Sequence, residues 1–112
     1  MHSAEILYQA SYFLTKYYKN KNNLEKNFYY TIKCAQYAPA IEGAQFNAGI
    51  TFMKNNNYIE AKKYFDNVLN INRTNYTAVY NKGMCLFQLD KIEEAFKYFC
   101  FFLNINTKVK DI

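Results

Sequence analysis

Tryptophan is missing from this chain, histidine, arginine and proline each occur once, and glycine occurs three times. Each shortage excludes something. The one histidine, His2, sits at the chain's start, and no glycine-rich loop is present to cradle a phosphate, so a catalytic reading has almost nothing to build on. Little glycine and proline argues against a disordered tail or a loop-rich scaffold. Cys34, Cys85 and Cys100 are an odd number without CxxC spacing, which speaks against a disulfide framework or a zinc site. They lie in helical-looking segments among apolar neighbours, where a free cysteine behaves as a small hydrophobe. No stretch approaches the ~18 apolar residues that cross a membrane. The opening MHSAEILYQASYFLT lacks the cationic start and unbroken apolar core of a secretory leader. The expectation is a cytoplasmic protein with no metal, no cofactor, no membrane span and no enzymatic activity.

What is present is a 112-residue chain, 51% apolar and 21% charged, enough for one domain spanning 1–112. Its formal charge of +5 is unevenly spread. Residues 8–41 carry Lys16, Lys19, Lys21, Lys26 and Lys33 against Glu25, whereas 42–75 and 76–109 each hold four basic and three acidic residues. Lys, Asn, Ile, Tyr and Phe together fill 59 of the 112 positions, which reads as the codon bias of an AT-rich genome. Abundance of Tyr and Asn is therefore weak evidence of function.

Aligning 42–75 with 76–109 reveals an internal repeat in which twelve of 34 positions are identical without a gap. Biased composition alone gives roughly three or four such matches. Among the pairs are Asn47/Asn81, Gly49/Gly83, Ala61/Ala95, Phe65/Phe99, Leu69/Leu103, Ile71/Ile105 and Asn72/Asn106. Each unit reads as two helices. The first, near 44–55 and 78–89, shows Phe46, Gly49, Phe52 and Tyr80, Gly83, Phe87 at helical spacing. The second opens on a capping box, Asn57-x-x-Glu60 or Asp90-x-x-Glu93, and Asn22-x-x-Glu25 is a third such opening. Gly49 and Gly83 in one helix, with Ala61 and Ala95 in its partner, are the small residues that close antiparallel packing needs.

This pattern resembles the tetratricopeptide repeat, a 34-residue helix–turn–helix unit. Gly49, Phe52, Tyr58, Ala61, Phe65 and Leu69 match its signature in 42–75, and Gly83, Ala95, Phe99 and Leu103 match in 76–109, with Leu86 and Ile92 as conservative replacements. Segment 8–41 is a divergent copy: Leu14, Tyr18, Leu24 and Pro39 agree, while Thr15, Asn27 and Thr31 replace Gly, Ala and Phe. The resemblance implies an all-α fold, a right-handed α-solenoid of stacked antiparallel helix pairs. It also implies a protein-interaction module, a scaffold or adaptor. Its first helices would line a concave groove for an extended peptide or a partner helix.

Carried onto this chain, the groove positions are Tyr12, Lys16 and Lys19, then Phe46, Asn47, Ile50, Met53 and Lys54, then Tyr80, Asn81, Met84 and Phe87. Asn47 and Asn81 are equivalent, so their amides would stand in a row, each offering a donor and an acceptor to a peptide backbone. The family's carboxylate clamp, which grips acidic chaperone tails, needs Lys and Asn, then Asn, then Lys and Arg. Here Tyr12, Lys16, Asn47, Thr77 and Asn81 stand at those places, so binding of such a tail is not expected.

The last helix holds Phe96, Phe99, Cys100, Phe101 and Phe102, more apolar surface than one partner helix can cover. Phe96, Cys100 and Phe101 thus mark an edge for a second copy, a partner protein or a continuation into further repeats. Two other readings compete. Lys16, Lys19, Lys21, Lys26 and Lys33 mixed with Tyr17, Tyr18, Tyr29 and Tyr30 could bind nucleic acid, although one Arg is few for base readout and helical tyrosines at these spacings are more often core. Some bacterial secretion chaperones are three-repeat members of the same family, a role the residues do not separate from a general adaptor.

Overall fold

The computed structural model describes residues 3–110, with side chains as far as Asn104. His2, Asp111 and the side chains of Ile105 and Asn106 lie outside the described residues. Among the described residues six helices follow one another: α1 Ser3–Asn20, α2 Leu24–Tyr37, α3 Glu42–Lys54, α4 Tyr58–Ile71, α5 Tyr76–Gln88 and α6 Ile92–Lys110. The described residues include no strand. The expected first helices of 44–55 and 78–89 are displaced by one or two residues, and α1 begins a full turn before residue 8. The main helix–helix contacts join consecutive elements, α1 to α2, α2 to α3 and so on to α6. The result is a stack with a radius of gyration of 15.4 Å, longer than the about 13 Å of a compact domain this size.

The same turn closes all three helix pairs. Asn22, Asn56 and Asp90, spaced 34 residues apart, have left-handed backbones with φ of 55°, 60° and 63°. Asn and Asp tolerate this conformation better than other side chains because they bond locally to the backbone. In each turn the next amide reaches back into the helix: Asn23 N–H to Tyr18, Asn57 N–H to Phe52 and Lys91 N–H to Leu86, all at 2.9 Å. Two of the three capping boxes expected from the sequence are corrected by this geometry. Asn57 does cap α4, accepting from the Glu60 amide, but α2 is capped by Asn23, which accepts from the Lys26 amide. Asn22 and Asp90 are spent on the left-handed step; before α2 the cap falls one residue later, on Asn23, whereas the residue after Asp90 is Lys91, whose ammonium has no acceptor to offer.

Packing within the second and third pairs follows the small residues. Gly49 faces the Phe65 ring so closely that an added Cβ would stand 2.8 Å from it, and Gly83 meets Phe99 at the same 2.8 Å. Phe65 is fully buried with Ala61, Val68, Ala78 and Cys85, an arrangement in which each large side chain contributes about 1.5–3 kcal/mol. In the first pair Thr15 and Thr31 stand where that glycine and phenylalanine would be. Their hydroxyls donate to the Ser11 and Asn27 carbonyls at 2.9 and 2.8 Å, and Asn27 Nδ2 crosses to the Thr15 carbonyl at 2.8 Å. Hydrogen bonds have replaced a buried ring.

Polar ties fasten each pair to the next. Buried Gln45 donates through Nε2 to the Ala35 carbonyl at 2.9 Å and accepts at Oε1 from Asn67 Nδ2 at 3.0 Å. The Glu42 carboxylate accepts from Asn72 and Asn75 in the turn before α5. Asp66 on α4 pairs with both Lys62 and the Lys82 ammonium of α5.

Candidate functional site

The first helices of the pairs, α1, α3 and α5, carry all the expected groove residues. Along them, buried positions alternate with exposed ones: Ala44, Ala48, Ala78 and Val79 are buried, while Tyr12, Lys16, Asn47, Tyr80 and Phe87 are exposed. Asn81 and Met84 are half-buried. Phe46, Ile50 and Met53 are also half-buried and pack against the central cluster, so they serve the fold as well as the face. Phe46 meets Phe65 edge-on at 5.7 Å, and Tyr80 rests on Phe99 and Phe102 at 5.7 and 5.2 Å. Lys16 Nζ lies 4.6 Å above the Tyr12 ring. One residue that sequence reasoning passed over belongs to this face: Phe13, 34 residues before Asn47, is 66% exposed.

Tyr12 and Asn47 are brought together by a cleft that sequence reasoning missed. It has a volume of about 200 Å³ and lies among α1, α2 and α3. Tyr8, Tyr12 and Thr15 line it from α1, Thr31 and Cys34 from α2, and Asn47 from α3. Tyr8 and Tyr12 stack with centroids 6.0 Å apart, and the Thr15 hydroxyl sits 3.8 Å from Cys34 Sγ. The available signal was the Thr15 and Thr31 departure from Gly and Phe.

The cysteines divide. Cys34 and Cys85 are buried, and burial raises both thiols, Cys85 to about 11, while the Thr15 hydrogen bond partly counters the rise at Cys34. Cys100 is exposed, so of the three only Cys34 and Cys85 sit as small hydrophobes in the interior. It shares α6 with Phe96 and Phe101, 66% and 48% exposed, on the edge expected to meet another molecule. An open depression there is lined by Glu94, Lys97, Tyr98 and Phe101. Burial pulls the Lys82 ammonium down, but hydrogen bonds and charge from Asp66, with Tyr98, outweigh it and leave it raised.

The tyrosines of the first pair also differ from expectation. Tyr17 and Tyr29 are exposed rather than core, and Tyr18 stacks on Tyr30 at 5.8 Å. Lys21, Lys26 and Lys33 lie 5.7, 5.1 and 5.4 Å above Tyr17, Tyr18 and Tyr29, so these ammonium groups are drawn to ring faces. Among the described residues no group of three or more His, Cys, Asp or Glu is placed to hold a metal, and no helix is long and apolar enough to cross a membrane.

Comparison with known proteins agrees with this architecture. The tetratricopeptide repeat model matches residues 43–75 and 76–106, more than half of the chain. Similar solved structures include a mutant of MamA, at 17% identity over 88% of this chain and 72% of that one, with a TM-score of 0.76. The TPR2B domain of yeast Sti1, in a complex with pHsp70, is 12% identical over 95% of this chain and 85% of its own, with a TM-score of 0.75. The first TPR of Spaghetti (RPAP3), bound to the HSP90 peptide SRMEEVD, is 19% identical over 91% of this chain and 78% of its own, with a TM-score of 0.71. Such identities establish likeness of fold. Among curated proteins, nothing matches the sequence.

Proposed function

The chain belongs to the tetratricopeptide repeat family, and from that premise we propose that it is a non-catalytic protein-interaction module. It binds an extended segment of a partner along the face of α1, α3 and α5, as a scaffold or adaptor. Segment 8–41 is read as the first repeat, 42–75 and 76–109 as the second and third. The observation that supports this reading is the exposure of Tyr12, Phe13, Asn47, Tyr80 and Phe87 on three successive first helices whose adjoining residues are buried. Unburied aromatic rings with amides between them make a surface that recognises peptide through stacking and backbone hydrogen bonds. The similar RPAP3 domain is bound to an HSP90 peptide and the similar Sti1 domain is in a complex with pHsp70, which supports the class of ligand. It does not carry over the ligand itself: the third unit has Thr77 and Asn81 where a clamp needs two cations.

A nuclease-treated pull-down from native lysate tests this, comparing the wild type with Asn47→Ala/Asn81→Ala/Tyr80→Ala by mass spectrometry. Partners retained by the wild type and lost by the variant support the groove. Partners that the variant retains place binding elsewhere, on the Phe96–Phe101 edge. Loss of everything on nuclease treatment favours the lysine-and-tyrosine face of α1 and α2 and a nucleic-acid ligand. Calorimetry with an acidic chaperone tail peptide is expected to give no micromolar binding.

A further inference from the structure

We propose that the cleft among α1, α2 and α3 is a pocket for one aromatic ring, the phenylalanine side chain of an extended partner segment. This rests on the groove reading above and adds to it a chemical requirement on the partner. The molecule's own repetition shows what the cleft is missing. In the second pair, Phe46, Gly49 and Phe65 fill the space between first and second helix, with the Phe65 ring on the glycine. Thirty-four residues earlier the same three places hold Tyr12, Thr15 and Thr31, and all three line the cleft. The first pair therefore keeps the walls of a phenyl site and lacks the phenyl.

Size and chemistry agree. A cleft of about 200 Å³ exceeds the about 150 Å³ that suffices to hold benzene in an engineered protein cavity. The Thr15 and Thr31 hydroxyls donate their hydrogens to carbonyls of their own helices, so they have none left to offer a polar guest. Ile41 and Ala44 add aliphatic surface, the neutral Cys34 thiol a soft one, and the stacked Tyr8 and Tyr12 an aromatic wall. Asn47 is exposed and lines the same cleft, where its amide can bond the backbone of the segment that inserts the ring.

The test uses the full chain and a small probe, N-acetyl-phenylalanine amide, with N-acetyl-alanine amide as control, followed by NMR. The phenyl probe is expected to shift Thr15, Thr31 and Asn47 saturably, leave Asn81 still, and give cross-relaxation from its ring to the Thr31 methyl and the Tyr12 ring. Thr15→Gly/Thr31→Phe, which rebuilds the glycine–phenylalanine pair inside the pocket, is expected to weaken the probe by at least about tenfold, the loss expected when one buried ring finds no room. Equal shifts from the alanine probe, or absence of ring cross-relaxation in the wild type, overturn the proposal whether or not the variant folds. A folded filled variant that binds the probe unchanged also overturns it. If the filled variant retains every partner that the triple groove variant loses, the groove stands and the pocket does not. If the phenyl probe binds but the groove variant loses no partner, the pocket stands and the groove reading falls.

Discussion

The first helix pair and the two that follow share one backbone plan and differ in what fills it. All three close on a left-handed Asn or Asp and the same 2.9 Å back-reaching amide. Inside, the later pairs set a phenylalanine ring against a glycine, whereas the first ties its helices by the Asn27 amide donating to the Thr15 carbonyl. A turn can thus hold a repeat's shape while its interior is changed. The change removes apolar burial, which drives folding, and leaves a cleft opening beside groove residues.

The sharpest way to break this comparison is to remove equivalent side chains. Phe65→Ala should cost about 3–5 kcal/mol in denaturant unfolding, as for other buried aromatics, and Thr31→Ala only about 1 kcal/mol, the value of one hydroxyl hydrogen bond. Equal losses would show that the first pair is packed like the others. Next in size is the alkaline limb of stability. Cys85 titrates near 9 when unfolded and at about 11 when folded, so its contribution is complete below pH 9 and lost as pH rises toward 11. That difference corresponds to about 2–3 kcal/mol, and Cys85→Ala should flatten the slope. Cys34→Ala should flatten it less, because the Thr15 hydrogen bond opposes the burial effect there. Unfolding curves from pH 8 to 11 distinguish the two.

Gly49→Ala should then destabilise by roughly 1–2 kcal/mol, because the overpacking against Phe65 exceeds the roughly 1 kcal/mol that alanine gains in a helix. Thr15→Ala loses one hydroxyl hydrogen bond and makes no clash, so it should cost no more than about 1 kcal/mol, and thermal melts of the two variants check the contrast. The smallest effects fall where the pairs agree. Asn23→Ala and Asn57→Ala should each cost about 1 kcal/mol as lost helix caps, and unequal losses would show that the shared turn is not energetically shared.

Much of this was legible in the sequence because packing left a periodic trace. Gly49/Gly83 in one helix with Ala61/Ala95 in the next announced the helix pairs, and 34-residue spacing announced their stacking. The capping box at Asn22 was misplaced by one and the one at Asp90 misread, because a left-handed step and a cap both favour Asn and Asp, and local pattern does not tell them apart. The cleft escaped because it needs three helices to form. Thr15 and Thr31 were visible as departures from the pattern, but what they vacate is bounded by Asn47 and Ala44 from the next unit. Exposure of Tyr17, Tyr29 and Cys100 likewise depends on which faces the stack leaves open, and helical spacing does not record this.

Because the main contacts join each helix to its neighbour in the chain, every pairing closes across a short loop and little entropy is spent on bringing distant segments together. Topologies of this kind fold in about microseconds to milliseconds. During synthesis, α1 and α2 can meet as soon as both have left the ribosome, before α5 has been made.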